Sequence, residues 1–197
     1  MADILAGLLL IGAYLLGSLC SAILVCKALG LPDPRSQGSH NPGATNVMRI
    51  GGKKPALLTL AGDMIKGVPL VLLAQHLQLS TDLVSAIGFA AFLGHLYPVF
   101  FRFEGGKGVA TALGVLLALY WPLGLSVVGI WLAVFGAFRI SSLSSLLAFG
   151  AAPLLSYYLC PGYMLGVVGM STLLIARHKT NIQALLKGEE HKFGAKK

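Results

Sequence analysis

Seven apolar runs decide what this chain can fold into. They cover residues 4–29, 56–77, 83–101, 109–120, 124–138, 143–159 and 163–176. A helix needs about 20 apolar residues to cross a bilayer core. Only helices and closed barrels satisfy their own backbone polar groups there. The chain is therefore expected to be an all-α integral membrane protein with seven transmembrane helices, a single polytopic domain over 1–197. Composition agrees: 11% of residues are charged, against about 25% in a soluble domain. The fourth and fifth runs are short and parted only by Trp121-Pro122. Merged, roughly 30 residues at about 1.5 Å each would overshoot the core by half. Pro122 beside Trp121 and Tyr120 reads instead as an interfacial turn. The first run starts after Met-Ala-Asp, with no basic segment before it, and its one charge, Lys27, lies at the far end. It reads as a retained span and not a signal peptide.

Charge gives the orientation. The net charge is +8, which on a soluble protein would suggest nucleic acid. Here the cations sort by side, and no nucleic-acid partner is expected. Lys27, Arg35, Arg49, Lys53 and Lys54 follow the first run. Arg102 and Lys107 follow the third, Arg139 the fifth, and Arg177, Lys179, Lys187, Lys192, Lys196 and Lys197 the seventh. The opposite ends carry only Asp3 and Asp82. The positive-inside rule makes the basic side cytoplasmic. The N-terminus is expected outside and the C-terminus in the cytoplasm, with a polar tail from Lys187 free to fray. Cys20, Cys26 and Cys160 show neither metal spacing nor a disulfide framework.

The complexity lies on the basic side. GSHNPGATNVMR, residues 38–49, sits in a connection over 31–55 without a clear helix or strand pattern. Glycines let backbone N–H groups approach an anion. Ser39 and Thr45 add hydroxyls, and Arg49 adds a forked cation suited to phosphate. A plain turn-rich connector is the alternative. GGKG, residues 105–108, leads into an apolar run at its cytoplasmic end. A helix N-terminus there would favour phosphate, with Lys107 adding a full charge. A snorkelling lysine is the alternative. In RHKTN, residues 177–181, Arg177 and Lys179 read as a stop signal. His178 and Asn181, three apart, would share a face if the helix continues.

Within the runs, Asp63 and Lys66 are three apart and read first as a structural pair, second as groups beside a site. His95 reads as a hydrogen-bonder in helix packing. No His is followed five residues later by Asp, no Ser–His–Asp set or metal cluster is evident, and Glu104 is the only carboxylate near a glycine-rich motif. Chemistry here would rest on cations and N–H donors, which suits substrates that bring their own negative charge.

GSHNPGATNVMR, GHLYPVFFRFEGGKGVAT and RHKTNI, in this order after a GSLCSAILVCKALGLPDPR entry, resemble the acyl-phosphate:glycerol-3-phosphate acyltransferases (the PlsY family) of bacterial phospholipid synthesis. The similarity covers essentially the whole chain. It implies transfer of a fatty acyl group from acyl phosphate to the 1-hydroxyl of sn-glycerol 3-phosphate, giving lysophosphatidate and phosphate. It implies that Ser39, Arg49, Lys107, His178 and Asn181 are catalytic. Gly38, Asn41, Gly43, Ala44, Thr45, Asn46, Gly105, Gly106 and Gly108 would bind or shape the phosphate site. It further implies no metal and no cofactor, a substrate phosphate acting in place of a protein base, and a site on the cytoplasmic face of the bacterial inner membrane. Membrane lipid and a functional link to an enzyme producing acyl phosphate follow from the same resemblance. Two positions depart from it: His40 stands where the family often has Gly, and Glu104 where it often has a basic residue.

The physics suits that reaction. A mixed carboxylic–phosphoric anhydride is already activated, so alignment and charge stabilisation suffice. Two dianions a few Å apart repel by several kcal/mol, roughly, even in a watery dielectric. Gly88, Ala90, Ala91 and Gly114 are expected to let helices part around an acyl chain. The rivals are a transporter of a phosphorylated solute, which would place polar groups near the midplane, and a scaffold whose basic face binds anionic lipid.

Overall fold

The computed structural model describes residues 2–193, so Lys196 and Lys197 of the basic tail lie outside the described residues. Among the described residues there is no strand. The first run forms α1 (Ala2–Gly17) and α2 (Ser21–Ala28), which meet at 44°. At this break Ser18 Oγ donates to the Tyr14 carbonyl at 2.8 Å. The connection after it carries α3 (Ala44–Gly51), and α4 (Lys53–Ile65) and α5 (Pro69–His76) follow. Pro69, lacking an N–H, fits the first turn of α5 after the break. Next come α6 (Thr81–Leu96), a 3-10 turn (Val99–Phe101), α7 (Val109–Leu119), α8 (Trp121–Phe138) and α9 (Ser141–Leu159). A second 3-10 turn (Pro161–Tyr163), α10 (Met164–Arg177) and α11 (Lys179–Leu186) complete the order.

Every apolar run is helical. Four segments are long and apolar enough to cross a membrane: Lys53–His76, Thr81–Phe101, Trp121–Phe138 and Ser141–Leu159. The bent α1–α2 pair raises that to five. α7 has 11 residues and α10 has 14, fewer than the roughly 20 of a straight crossing. α7 and α8 are separate, but the turn falls at Tyr120, and Trp121-Pro122 open α8. Proline is tolerated in a helix's first turn because that N–H has no helical partner. The expected patternless connection over 31–55 is half helix. Val47 of α3 is buried in a small cluster with Cys20, Ala22, Ile23 and Cys26. Eight residues with one buried face are too few for periodicity to stand out.

α6 is the hub, packed on α1, α5, α7 and α10. Its Ile87, Phe92 and Leu96 are fully buried. In lipid, helices associate through close contact and not through expulsion of water. Small residues serve that end here. A side chain at Gly88 would drive into Val115, and one at Gly114 into the Met64 backbone. The expected parting of helices at Gly88, Ala90, Ala91 and Gly114 is therefore not found: Ala91 is buried and the helices close tightly there. Outward, Leu125, Leu132 and Leu165 are exposed, as a lipid-facing surface requires.

The α1–α2 and α4–α5 breaks meet around charge. Lys66 Nζ lies 2.9 Å from Asp63 Oδ1 and donates to the Leu19 carbonyl at 2.7 Å. Asp63 Oδ1 also accepts from Ser21 N at 3.3 Å. Both side chains are buried, so the structural pair expected from their spacing forms, and it closes polar groups that the breaks set free.

Candidate active site

Three segments converge at one end of the bundle. The first is the connection before α3. Asn46 is buried, and its amide is spent on the loop itself: Oδ1 accepts from Ser39 N at 2.9 Å, and Nδ2 donates to the carbonyls of Pro34 and Gln37 at 2.8 and 2.9 Å. Asn46 thus holds the loop's shape, while Ser39 is exposed. Gly43 caps α3 and Ala44 begins it. Thr45 Oγ1 lies 3.3 Å from Ser141 Oγ at the start of α9. Asn41 is half-buried in the turn before the cap, where its carbonyl accepts from Gly43 N at 3.0 Å. Arg49 is exposed and makes no hydrogen bond or ion pair among the described residues. With Gln37, Gly38, Ile50 and His191 it lines a cavity of about 530 Å³.

The second segment is the GGKG turn. Gly106 N donates to the His95 carbonyl at 3.2 Å. Gly105 and Gly106 lie so close to the end of α6 that a side chain on either would enter His95. Gly108 caps α7 at φ +89, in the left-handed region, with the Phe92 ring where a Cβ would sit. These glycines serve close approach as well as any anion. The first two segments touch: the Pro42 carbonyl lies beside Gly106. A second cavity of about 410 Å³ is lined by Arg35, His40, Pro42, Phe103, Glu104, Gly105 and Arg177.

The third segment breaks where a continuous helix was expected. α10 ends at Arg177 and α11 starts at Lys179, with His178 at the junction. His178 still projects inward. It is buried, and its Nδ1 donates to the Leu174 carbonyl at 2.8 Å. Burial chiefly pushes its pKa down, to about 4, and Lys107 acts in the same direction. Lys107 Nζ donates to Asn181 Oδ1. Asn181 Nδ2 in turn donates to both oxygens of Glu190 at 3.0 and 3.1 Å. Burial chiefly lowers the Lys107 pKa; Glu190 opposes that, and Arg177 and Arg49 add to it.

Lys107, His178 and Asn181 are thus brought together, with Arg49 and Arg177 near enough to act on Lys107. Three residues do more than the sequence reading allowed. Arg177 is no mere stop signal: its Nη2 donates to the Gly105 and Gly106 carbonyls at 3.1 and 3.3 Å. Glu190, which binds Asn181, has no periodic or motif signal. Arg35 pairs with Asp33 at 2.7 Å and with Glu104 at 3.0 Å. His40 has φ +56 and its ring lies 3.0 Å from the Arg35 carbonyl. This left-handed backbone is one that glycine adopts without strain.

An all-helical membrane bundle with cations and amides gathered at one end defines a class of integral membrane protein built to handle anions. Comparison with known proteins narrows the class. A family profile described as "Glycerol-3-phosphate acyltransferase" matches residues 7–188. A Methylococcus capsulatus protein named glycerol-3-phosphate acyltransferase is 57% identical over 187 residues, 94% of each chain. One of the same name from Thioalkalivibrio sulfidiphilus is 52% identical over 195 residues, 98% of this chain and 96% of its own. The crystal structure of PlsY (YgiH), an integral membrane glycerol 3-phosphate acyltransferase, in its glycerol 3-phosphate form superposes with a TM-score of 0.91 at 41% identity, over 96% of both chains. Its lysophosphatidic acid form gives 0.89 at 40%, over 96% of this chain and 95% of that one. The chain belongs to the glycerol-3-phosphate acyltransferase family.

Proposed function

We propose that this protein transfers a fatty acyl group from acyl phosphate to the 1-hydroxyl of sn-glycerol 3-phosphate, releasing lysophosphatidate and inorganic phosphate. The observation that carries the reading is the meeting of Lys107, Asn181 and His178 beside Arg49 and the Gly105–Gly106 turn, within a chain of this family. Arg49, Lys107 and Ser39 bind substrate phosphate. The N-termini of α3 and α7 face the same anions. The glycerol oxygen attacks the acyl carbonyl carbon, the C–O bond to phosphate breaks, and the hydroxyl proton passes to a phosphate oxygen of the substrate.

His178 orients and does not deprotonate. With Nδ1–H given to Leu174, Nε2 carries a lone pair that accepts a hydrogen bond from the glycerol hydroxyl. A base with a pKa of about 4 is weaker than a phosphate dianion, whose conjugate acid has a pKa of about 6. Asn46 shapes the loop behind Ser39, and Gly38, Asn41, Gly43, Ala44, Thr45, Gly105, Gly106 and Gly108 form the walls. The sorting of Lys and Arg to one side supports seven spans with an external N-terminus and a cytoplasmic C-terminus, and with them a site at the inner face of a bacterial cytoplasmic membrane, next to the supply from an acyl-phosphate-producing enzyme.

The test uses the purified full chain with acyl phosphate and glycerol 3-phosphate, following phosphate release. Lys107→Ala and Ser39→Ala should each lower turnover at least about a hundredfold with little change in melting temperature. Absence of phosphate release, with acyl-CoA serving as donor, would remove the donor assignment; near-parental rates in both variants would remove the site.

A further inference from the structure

The buried charges of the bundle reach the GGKG turn through one side chain. Lys66 Nζ, held by Asp63 and the Leu19 carbonyl, lies 2.9 Å from His95 Nδ1. A lysine ammonium donates and cannot accept, so Nδ1 accepts and the ring proton sits on Nε2. That edge of the ring lies against Gly106, where a side chain would enter it, and the Pro42 carbonyl borders the same spot. His95 touches the same turn with its main chain, since its carbonyl accepts from Gly106 N at 3.2 Å. Arg177 donates to the Gly105 and Gly106 carbonyls of the same turn. The residue before Lys107 is therefore gripped by an imidazole whose rotation is fixed from within the bundle. His95 is buried, and an Asp63–Lys66 pair used only to satisfy helix breaks would not need it.

We propose that His95 is a positioning residue: locked by the Asp63–Lys66 pair, it sets the Gly105–Gly106 turn and so the place of Lys107. This rests on the reading of Lys107 given above. His95 touches no substrate. Its effect runs through the turn, and the α1–α2 and α4–α5 breaks serve to bring Lys66 to it. A misplacement of about 1 Å in such a group costs roughly a hundredfold in rate, and it acts on the charge that develops at the leaving phosphate more than on ground-state binding.

The test uses full-length protein in detergent and three changes. His95→Phe keeps a flat ring but offers Lys66 no acceptor. His95→Gln restores an amide at the ring's far edge. The pair Asp63→Asn with Lys66→Met removes the lock without stranding a buried charge. His95→Phe and the paired variant should each lower kcat about tenfold to a hundredfold, change KM for glycerol 3-phosphate by less than about threefold, and leave melting within a few degrees. His95→Gln should recover part of kcat. Parental kcat in a folded His95→Phe protein, equal loss in His95→Gln and His95→Phe, or a KM rise without a kcat fall overturns the proposal. Failure of both His95→Phe and the paired variant to fold overturns it too, because the cluster would then be a folding element alone. Lys107→Ala assayed alongside separates the two readings. If it turns over normally the site assignment fails; if it is dead while His95→Phe is unimpaired, only the role of His95 falls.

Discussion

His178 carries a stability signature of its own. Its folded pKa of about 4 lies below the ordinary 6.5, so between those values the unfolded chain binds more protons than the folded one. The contribution of a neutral His178 is complete above pH 6.5 and is lost as pH falls towards 4. A shift of this size corresponds to about 3 kcal/mol. The melting temperature of the parent should fall faster over this window than that of His178→Gln, and parallel curves would refute the buried neutral imidazole. At this scale the sequence was legible where a rare polar residue interrupts apolar ones. Lys107, Arg49, His178 and Asn181 stood out for that reason, and the structure brings Lys107, His178 and Asn181 together. Asn46 did not reveal its structural use, because an amide in a glycine-rich stretch reads the same whether it faces a ligand or its own backbone. Arg177 was masked by a topological explanation that any membrane-flanking cation satisfies. Glu190, nine residues from its partner Asn181, lies beyond any helical repeat.

Among elements, the turn-to-helix junction at α7 is the least forgiving. Gly108→Ala would pay about 1–2 kcal/mol for a left-handed backbone and also press on Phe92. It should lower the melting temperature by several degrees and reduce turnover at least about tenfold through Lys107; a variant with parental melting and rate would show the turn to be plastic. Helix identity and order were readable because apolar runs in lipid have one solution. The breaks were not. Hydropathy is as high at Leu16 or Leu19 as elsewhere, so the α1–α2 break leaves no dip in it; what marks the break is Gly17 against the α6 backbone and Ser18 bonded back to the Tyr14 carbonyl. α3 escaped notice for a related reason: its buried face is small, and its partners, Cys20, Ala22 and Ile23, are far away in sequence.

For the whole molecule, orientation is the claim most open to direct test. With the native cysteines replaced, Asp3→Cys should react with a membrane-impermeant thiol reagent in intact cells, and Lys192→Cys only after permeabilisation. The reverse pattern would overturn the orientation and the cytoplasmic site with it, and reaction of both on one side would overturn the seven-span arrangement. The expectation rests on the distribution of Lys and Arg, which is a sum over the chain and insensitive to detail. The number of true crossings was harder to read, because α7 and α10 fall short of a full span in length and composition alone does not say how deep a short helix sits.

Among the described residues the bundle has two hydrophobic clusters, and the two cations assigned to phosphate are mounted on different ones. α7, behind Lys107, belongs to the large cluster around Phe92 and Leu116, while α3, which bears Arg49, rests on the small one around Val47 and Cys26. The gap between these anchors is therefore spanned by polar joints, Pro42 against Gly106 and Thr45 against Ser141. The spacing between the two cations is thus set by contacts between loops and helix ends as well as by the apolar packing beneath them, and by α4, which packs on both α3 and α7.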